Sequence, residues 1–314
     1  MYCMLKIFLL SLTIFSLMHQ LVAQDFPLYP DKIPNSKVTP NEEKSDRNGE
    51  NISISKISIP TIRYFPALQQ NATKTAVIIF PGGGYRNNSI THEGYEIAKK
   101  FNEIGVSAFV VKYRIPNDDT MVDKTIGPLQ DAQQAIKLVR EEATKYKINP
   151  SRIGIMGFSA GGHLASTAGT HFKTAKIANE KNISLRPDFM ILIYPVISFQ
   201  NDICHEGSKD QLIGKNPSPD KVELYSNELQ VTKETPPTFL VHTGEDLVVP
   251  VANSVRFYES LLKYEVPAEL HLYPRGEHGF GLDNKTTKDY WFDRCKNWMD
   301  SNGWLMPSTL SCEL

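Results

Sequence analysis

Apolar positions recur along this chain with two spacings that alternate. Short, nearly unbroken apolar runs occur at AVIIF (76 to 80), SAFVVKY (107 to 113), RIGIMGF (152 to 158), FMILIYP (189 to 195), TFLVHTG (238 to 244) and AELHLYP (268 to 274). All six read as strands, and AVIIF, almost wholly apolar, has the pattern of one buried on both faces. Between them lie stretches with helical spacing, at 92 to 104, about 127 to 147, from Ala160 onward, near 250 to 264 and about 287 to 302. Strands and helices in this alternation predict an α/β fold with a mostly parallel central sheet and helices on both faces. Two β-branched runs, ISISKISIP and TIRYF, precede the first of these strands. With no second core and no internal repeat, residues 51 to 314 are expected to form a single domain.

Three stretches break the rhythm. Residues 24 to 50 hold four prolines and the charged run NEEKSDRNGE, which predicts an extended arm without a fold of its own. Residues 196 to 237 are polar and proline-rich, and a long insertion after a strand's carboxyl end is where open α/β sheets bind ligands. At the amino terminus Lys6 precedes twelve residues, IFLLSLTIFSLM, ending near the small residue Ala23. That is the pattern of a secretory signal peptide. Twelve residues rise only about 18 Å as a helix, short of the roughly 30 Å hydrocarbon core of a bilayer. A leader over residues 1 to 23 is therefore expected, with a mature chain that is secreted or periplasmic and has no stable membrane insertion.

Charge and cysteine content narrow the function. Lys and Arg number 34 against 35 Asp and Glu, a net charge of -1, so no positive field attracts a polyanion and nucleic acid is not an expected partner. Four cysteines cannot staple a chain of 314 residues, and Cys3 falls within the leader. There is no Cys-x-x-Cys, and His92-Glu93 lacks the second His of a zinc helix, so no metal site is expected.

The chemistry begins at Gly157-Phe158-Ser159-Ala160-Gly161, a Gly-x-Ser-x-Gly turn between the strand RIGIM and a helix. Small residues let the backbone turn sharply and hold the Ser159 hydroxyl at a helix start, where N–H groups face bound anions. A serine hydroxyl needs a general base oriented by a carboxylate. His278, in the glycine-flanked loop Gly276-Glu277-His278-Gly279-Phe280-Gly281 after AELHLYP, is the candidate base. His242 and His271 lie inside apolar strand patterns and are expected to pack or hydrogen-bond. His163 falls beneath the turn, where it is expected to pack, and His92, His171 and His205 lie outside the loops that follow the strands. Asp246, in the loop after TFLVHTG, is the candidate carboxylate, with Glu245 and Glu277 as solvated neighbours. The chain order Ser159, Asp246, His278 is the one this fold class uses.

Acyl transfer also needs donors for an oxyanion. Pro81-Gly82-Gly83-Gly84-Tyr85 follows AVIIF, and the glycines free the backbone to turn its N–H groups inward. Asn87 stands where a dinucleotide loop has its third glycine, which argues against that alternative. Gly83, Gly84 and Ala160 are assigned to the oxyanion hole. Tyr85, which could stack on a sugar or simply pack, and the insertion from His205 to Leu212 are candidates for substrate binding.

With these residues in place the chain resembles the α/β-hydrolase superfamily, and within it the acetyl esterase and acetylxylan esterase-like branch with a PGGGY loop. The stretches that carry the likeness are IFPGGGYRNNSITHEGYEIAKKF, VVKYRIP, IGIMGFSAGGHLAS, LIYPVISF, TPPTFLVHTGEDLVVPVANSVRFYESL and LHLYPRGEHGFGL, together spanning roughly 75 to 283. In that branch the serine of GFSAGGH, the aspartate of D-x-x-V-P and the histidine of HGFG form the triad, which falls here on Ser159, Asp246 and His278. The resemblance implies a secreted or periplasmic enzyme that removes acetyl, or sometimes feruloyl, groups from plant polysaccharides and oligosaccharides, using neither metal nor cofactor. Another small-ester carboxylesterase, a serine peptidase or amidase, and a non-catalytic glycan-binding protein stand as alternatives. Proline-specific exopeptidases share the elbow but carry a large accessory domain for which this chain has no room.

Overall fold

The computed structural model describes residues 25–68 and 71–306. The expected leader, with Cys3, and Cys312 near the carboxyl end lie outside these residues. Eight strands form the main sheet. In chain order they are β1 (Asp25–Pro27), β4 (Thr61–Phe65), β5 (Ala76–Phe80), β7 (Ser107–Lys112), β8 (Ile153–Phe158), β9 (Met190–Ile193), β10 (Thr238–Thr243) and β11 (Ala268–Tyr273). A small second sheet joins β2 (Lys44–Asn48), β3 (Asn51–Ser55) and β6 (Asn87–Asn88). The main sheet runs β1-β4-β7-β5-β8-β9-β10-β11, parallel from β7 to β11 and antiparallel at β1 and β4. This is the mostly parallel sheet of an α/β-hydrolase fold.

Side chains on a strand alternate between faces, and both faces here are covered. Ile78 and Phe80 of β5 pack in one cluster with residues of α2 (Gly127–Glu141), α3 (Ser159–Thr170) and α6 (Ala252–Lys263), among them Ile136, Leu164 and Leu261. Val77 and Ile79 of the same strand pack with α1 (Glu96–Glu103) and α7 (Trp291–Ser301), through Ile97, Phe101 and Trp291. That double burial is why AVIIF has no polar alternation. The polar insertion holds two short helices, α4 (Glu206–Ile213) and α5 (Pro219–Leu224).

Of the expected arm, residues 25 to 50 have no core of their own, but they are bound to the domain rather than trailing from it. β1 pairs with β4, and Leu28 is fully buried. The buried Arg114 is paired with Asp131 at 2.8 Å, and its Nη1 donates to the carbonyl of Pro34 at 2.8 Å and to Ser36 Oγ at 3.1 Å. A guanidinium with five donors can hold a carboxylate and a passing backbone together. Among the described residues no helix is long and apolar enough to cross a membrane.

The strand order reverses around β5. The chain leaves β5 for β7 on one side and returns to β8 on the other, so the carboxyl ends of β5 and β8 lie side by side, with Phe80 opposite Gly157. Such a reversal opens a crevice at the carboxyl edge, and both the glycine loop and the Ser159 turn emerge into it.

Candidate active site

Ser159 is the first residue of α3, with φ of 50°, a left-handed conformation that costs a non-glycine residue energy unless its surroundings impose it. The surroundings do impose it: a Cβ on Gly157 would collide with the carbonyl of Gly161, and one on Gly161 would collide with the carbonyl of Phe80. Only glycine at both positions lets the turn press against β5.

Three loops from three strands then meet. His278, in the loop after β11, has its Nε2 2.8 Å from Ser159 Oγ. Its Nδ1 lies 2.6 Å from Oδ2 of Asp246, in the loop after β10. Oδ1 of Asp246 accepts the backbone N–H groups of Val248 and Val249 at 2.9 and 2.8 Å. Burial acts to raise the Asp246 pKa, but hydrogen bonds from His242 and His278, with the His278 charge and the Val249 N–H, outweigh it and hold the carboxyl well below its ordinary range. A hydroxyl, an imidazole and a carboxylate in this series can carry a proton away from Ser159 Oγ.

Gly83 and Gly84 take φ values of 127° and 63°, so the loop after β5 curls on itself, with Gly83 O accepting from the N–H groups of Arg86 and Asn87. Among the described residues no acceptor takes the N–H of Gly83 or Gly84. Ala160 lies in the first turn of α3, where a helix has no carbonyl to offer its N–H groups. His205, the N-cap residue of α4, brings its Cε1 within 3.8 Å of where a Gly84 side chain would begin. Its pKa is lowered by burial first and then by the charges of His278 and Arg86. Beyond it, Arg86 and Gln211 line a cleft of about 530 Å³ that also borders Ile57 and Asn117.

Tyr85 corrects an expectation. Its φ of 58° turns the ring inward, where it is 1% exposed, and its hydroxyl meets Nδ1 of His163 at 2.9 Å. A ring so enclosed cannot stack on a sugar. His163 packs as expected, face to face with Phe199 at 4.3 Å, and its Nε2 donates to the Tyr225 carbonyl at 2.8 Å. Burial lowers its pKa to about 4, so it is neutral at pH 7.

Sequence reasoning missed four residues that touch the site. His242 donates from Nε2 toward Asp246 Oδ2 at 3.2 Å and the Val249 carbonyl at 3.0 Å. His92 donates to the carbonyl of Gly279 at 3.0 Å, bracing the His278 loop. Glu93, in a π-helical turn over Thr91–Tyr95, accepts the Gly82 N–H at 2.8 Å. Tyr194, directly after β9, donates to Glu93 at 2.8 Å. Only His242 carried a signal, since it stands four residues before Asp246 on the same strand and loop.

The signature of the BD-FAE family matches residues 63–261. The chain is 37% identical over 219 residues to an acetylxylan esterase of Xylanibacter ruminicola, covering 68% of this chain and 43% of that protein. It is 39% identical over 214 residues to endo-1,4-beta-xylanase B of Butyrivibrio fibrisolvens, covering 67% and 33%. It thus spans less than half the length of these curated relatives. The crystal structure of an acetyl ester-xyloside bifunctional hydrolase from Caldicellulosiruptor lactoaceticus superposes with a TM-score of 0.76 at 39% identity, over 90% of this chain and 97% of that one.

Proposed function

The chain belongs to the BD-FAE family of α/β hydrolases, and on that footing we propose that it is a secreted or periplasmic serine esterase that removes acetyl groups from plant polysaccharide or oligosaccharide. The observation that carries this is the unbroken series from Ser159 Oγ through His278 to Asp246, with separations of 2.8 and 2.6 Å. His278 takes the Ser159 proton as Oγ attacks the acetyl carbonyl. Asp246 holds the imidazole in the tautomer with its proton on Nδ1 and stabilises the imidazolium without accepting that proton. The N–H groups of Gly83, Gly84 and Ala160 receive the oxyanion, each such donor lowering the barrier by about 3 kcal/mol. The sugar leaves as an alcohol after protonation by His278, and water then hydrolyses the acetyl-enzyme. The acetylxylan esterase and acetyl ester-xyloside hydrolase among the relatives support an acetylated carbohydrate as substrate.

Acetate release from acetylated xylan by residues 24–314, beside Ser159→Ala and beside short and long aryl esters, tests the assignment. Release that disappears in Ser159→Ala is the expected result. Release at the wild-type rate in Ser159→Ala would remove Ser159 from the chemistry. Turnover of aryl acetate with none on xylan would move the substrate to a feruloyl or other small ester. Export rests on the apolar leader over residues 1 to 23. Expressed in full with a secretion machinery present, the protein should appear outside the cytoplasm with a new amino terminus near Gln24, and an uncut cytoplasmic chain would refute this.

A further inference from the structure

Glu93 and Tyr194 connect the two loops that the proposed chemistry needs to hold apart at a fixed distance. The Gly82 N–H donates to Glu93 Oε2 at 2.8 Å, so the residue just before Gly83 and Gly84 is tied to this carboxyl. The other carboxyl oxygen, Oε1, accepts the Tyr194 hydroxyl at 2.8 Å. The Tyr194 oxygen in turn accepts the N–H of Gly281 at 3.0 Å, three residues beyond His278. Three hydrogen bonds thus run without interruption from the glycine loop to the histidine loop.

The pair is costly to keep if its work is only to fill space. Glu93 is 5% exposed and Tyr194 not at all, and buried ionisable groups are often replaced by apolar residues of similar volume with no loss of stability. Tyr194 holds φ of 36°, a left-handed conformation that a tyrosine keeps only under constraint. Its ring meets the edge of His278 at 4.9 Å between centroids and Phe280 at 4.6 Å. Burial raises the Glu93 pKa, opposed by the Tyr194 and Gly82 hydrogen bonds and by the charges of His278 and His92. An ionised Glu93 accepts from both of its donors, whereas a protonated one has to give up an acceptor position.

Resting on the esterase function proposed above, we infer that Glu93 and Tyr194 are positioning residues, a buried strut that sets the separation between the oxyanion donors and the His278 imidazole. Neither the Glu93 carboxyl nor the Tyr194 hydroxyl bonds to Ser159, His278 or Asp246. They act through Gly82 and Gly281, and a misplacement of about 1 Å between reacting groups can cost a hundredfold in rate.

Two variants test it. Tyr194→Phe removes one oxygen and keeps the ring against His278 and Phe280. Glu93→Gln keeps the volume but presents an amide N–H to one of two donors. Each is read in two ways: the rate at which an alkyl fluorophosphonate modifies Ser159, and kcat and KM on 4-nitrophenyl acetate per titrated active site, well below the melting temperature. The expected result is a fall of about 10- to 100-fold in both the modification rate and kcat, with KM within about twofold, and a double variant no slower than the slower single one. Space-filling alone would lower the melting temperature and leave kcat per titrated site unchanged. A Tyr194→Phe variant within twofold of wild type on both readouts would overturn the strut, and so would losses that multiply in the double variant. If fluorophosphonate modifies the wild type but xylan yields no acetate, the substrate assignment falls while the modification rates still decide the strut. Should Ser159→Ala turn over as the wild type does, both fall together.

Discussion

His242 and His278 share one oxygen. Oδ2 of Asp246 lies 2.6 Å from Nδ1 of His278 and 3.2 Å from Nε2 of His242. The Val249 carbonyl, 3.0 Å from Nε2, can only accept and keeps the His242 N–H on the Asp246 side, while the remaining nitrogen meets Ser254 Oγ at 2.8 Å. Replacing His242 with Leu removes one of the hydrogen bonds that hold the Asp246 carboxyl down, so its pKa should move up toward the ordinary range. We expect kcat on an aryl acetate to fall about tenfold, equivalent to ~1.4 kcal/mol, with KM unchanged. A kcat within twofold of wild type would mean that the Val248 and Val249 N–H groups alone fix the carboxylate.

Acid should weaken the fold through His163. Its folded pKa is lowered to about 4, against an ordinary value near 6.5. The unfolded chain therefore takes up a proton as pH falls through about 6.5, while the folded chain resists until about 4. The stability this contributes is present above that upper value and is lost across the window, about 3 kcal/mol in all. Urea unfolding at pH 7 and pH 4.5 should show a drop in the wild type that is smaller by about 2 kcal/mol in His163→Gln. Equal drops in the two proteins would exclude His163 as the source.

Arg86 is exposed and lines the 530 Å³ cleft together with Glu42, Asp119 and Gln211, close enough to His205 for its charge to act on that imidazole. A guanidinium at that position suits the hydroxyls of the proposed substrate's sugar chain. Arg86→Ala should raise KM on acetylated xylan by about three- to tenfold, ~1 kcal/mol, and leave KM on an aryl acetate as it was. Parallel changes on both substrates would place the polysaccharide elsewhere.

At Gly161 the contact between α3 and β5 leaves no room for a side chain. Gly161→Ala drives a methyl group into the Phe80 carbonyl, and overpacking of this kind costs about 1–3 kcal/mol. Because the same movement displaces Ser159, kcat should fall by more than the folded fraction does. Thermal melting beside active-site titration separates the two effects, and a variant that melts early yet keeps wild-type kcat would show that the elbow can shift without moving the nucleophile.

The strands and the residues that end them were legible because their signals are local. AVIIF and IGIMGF are buried on both faces, so hydrophobicity alone marks them, and Ser159 and Asp246 each come just after a strand of that kind, whereas His278 follows β11, which is mostly half-buried and was marked by its strand-length apolar run and the glycines around the histidine. β1 was not legible, since three residues ending in Pro27 carry no pattern and become a strand only by pairing with β4. The role of Glu93 depends on Tyr194, which lies 101 residues away, so no spacing announces it. Tyr85 misled for a related reason: its place in the chain, next to the glycine loop, says nothing of the backbone turn that buries it.

The sheet also ranks the site by how readily each part comes loose. β8, which presents Ser159, is bonded on both sides by β5 and β9 and is buried along its whole length. β11, which leads to His278, is an edge strand, bonded to β10 alone and half open to water for most of its residues. Sub-global opening begins where few buried contacts must be given up, so the base is the first of the three to leave and the nucleophile the last. Thermal inactivation of this protein should therefore run ahead of its melting, with amides of β11 exchanging while those of β8 remain protected.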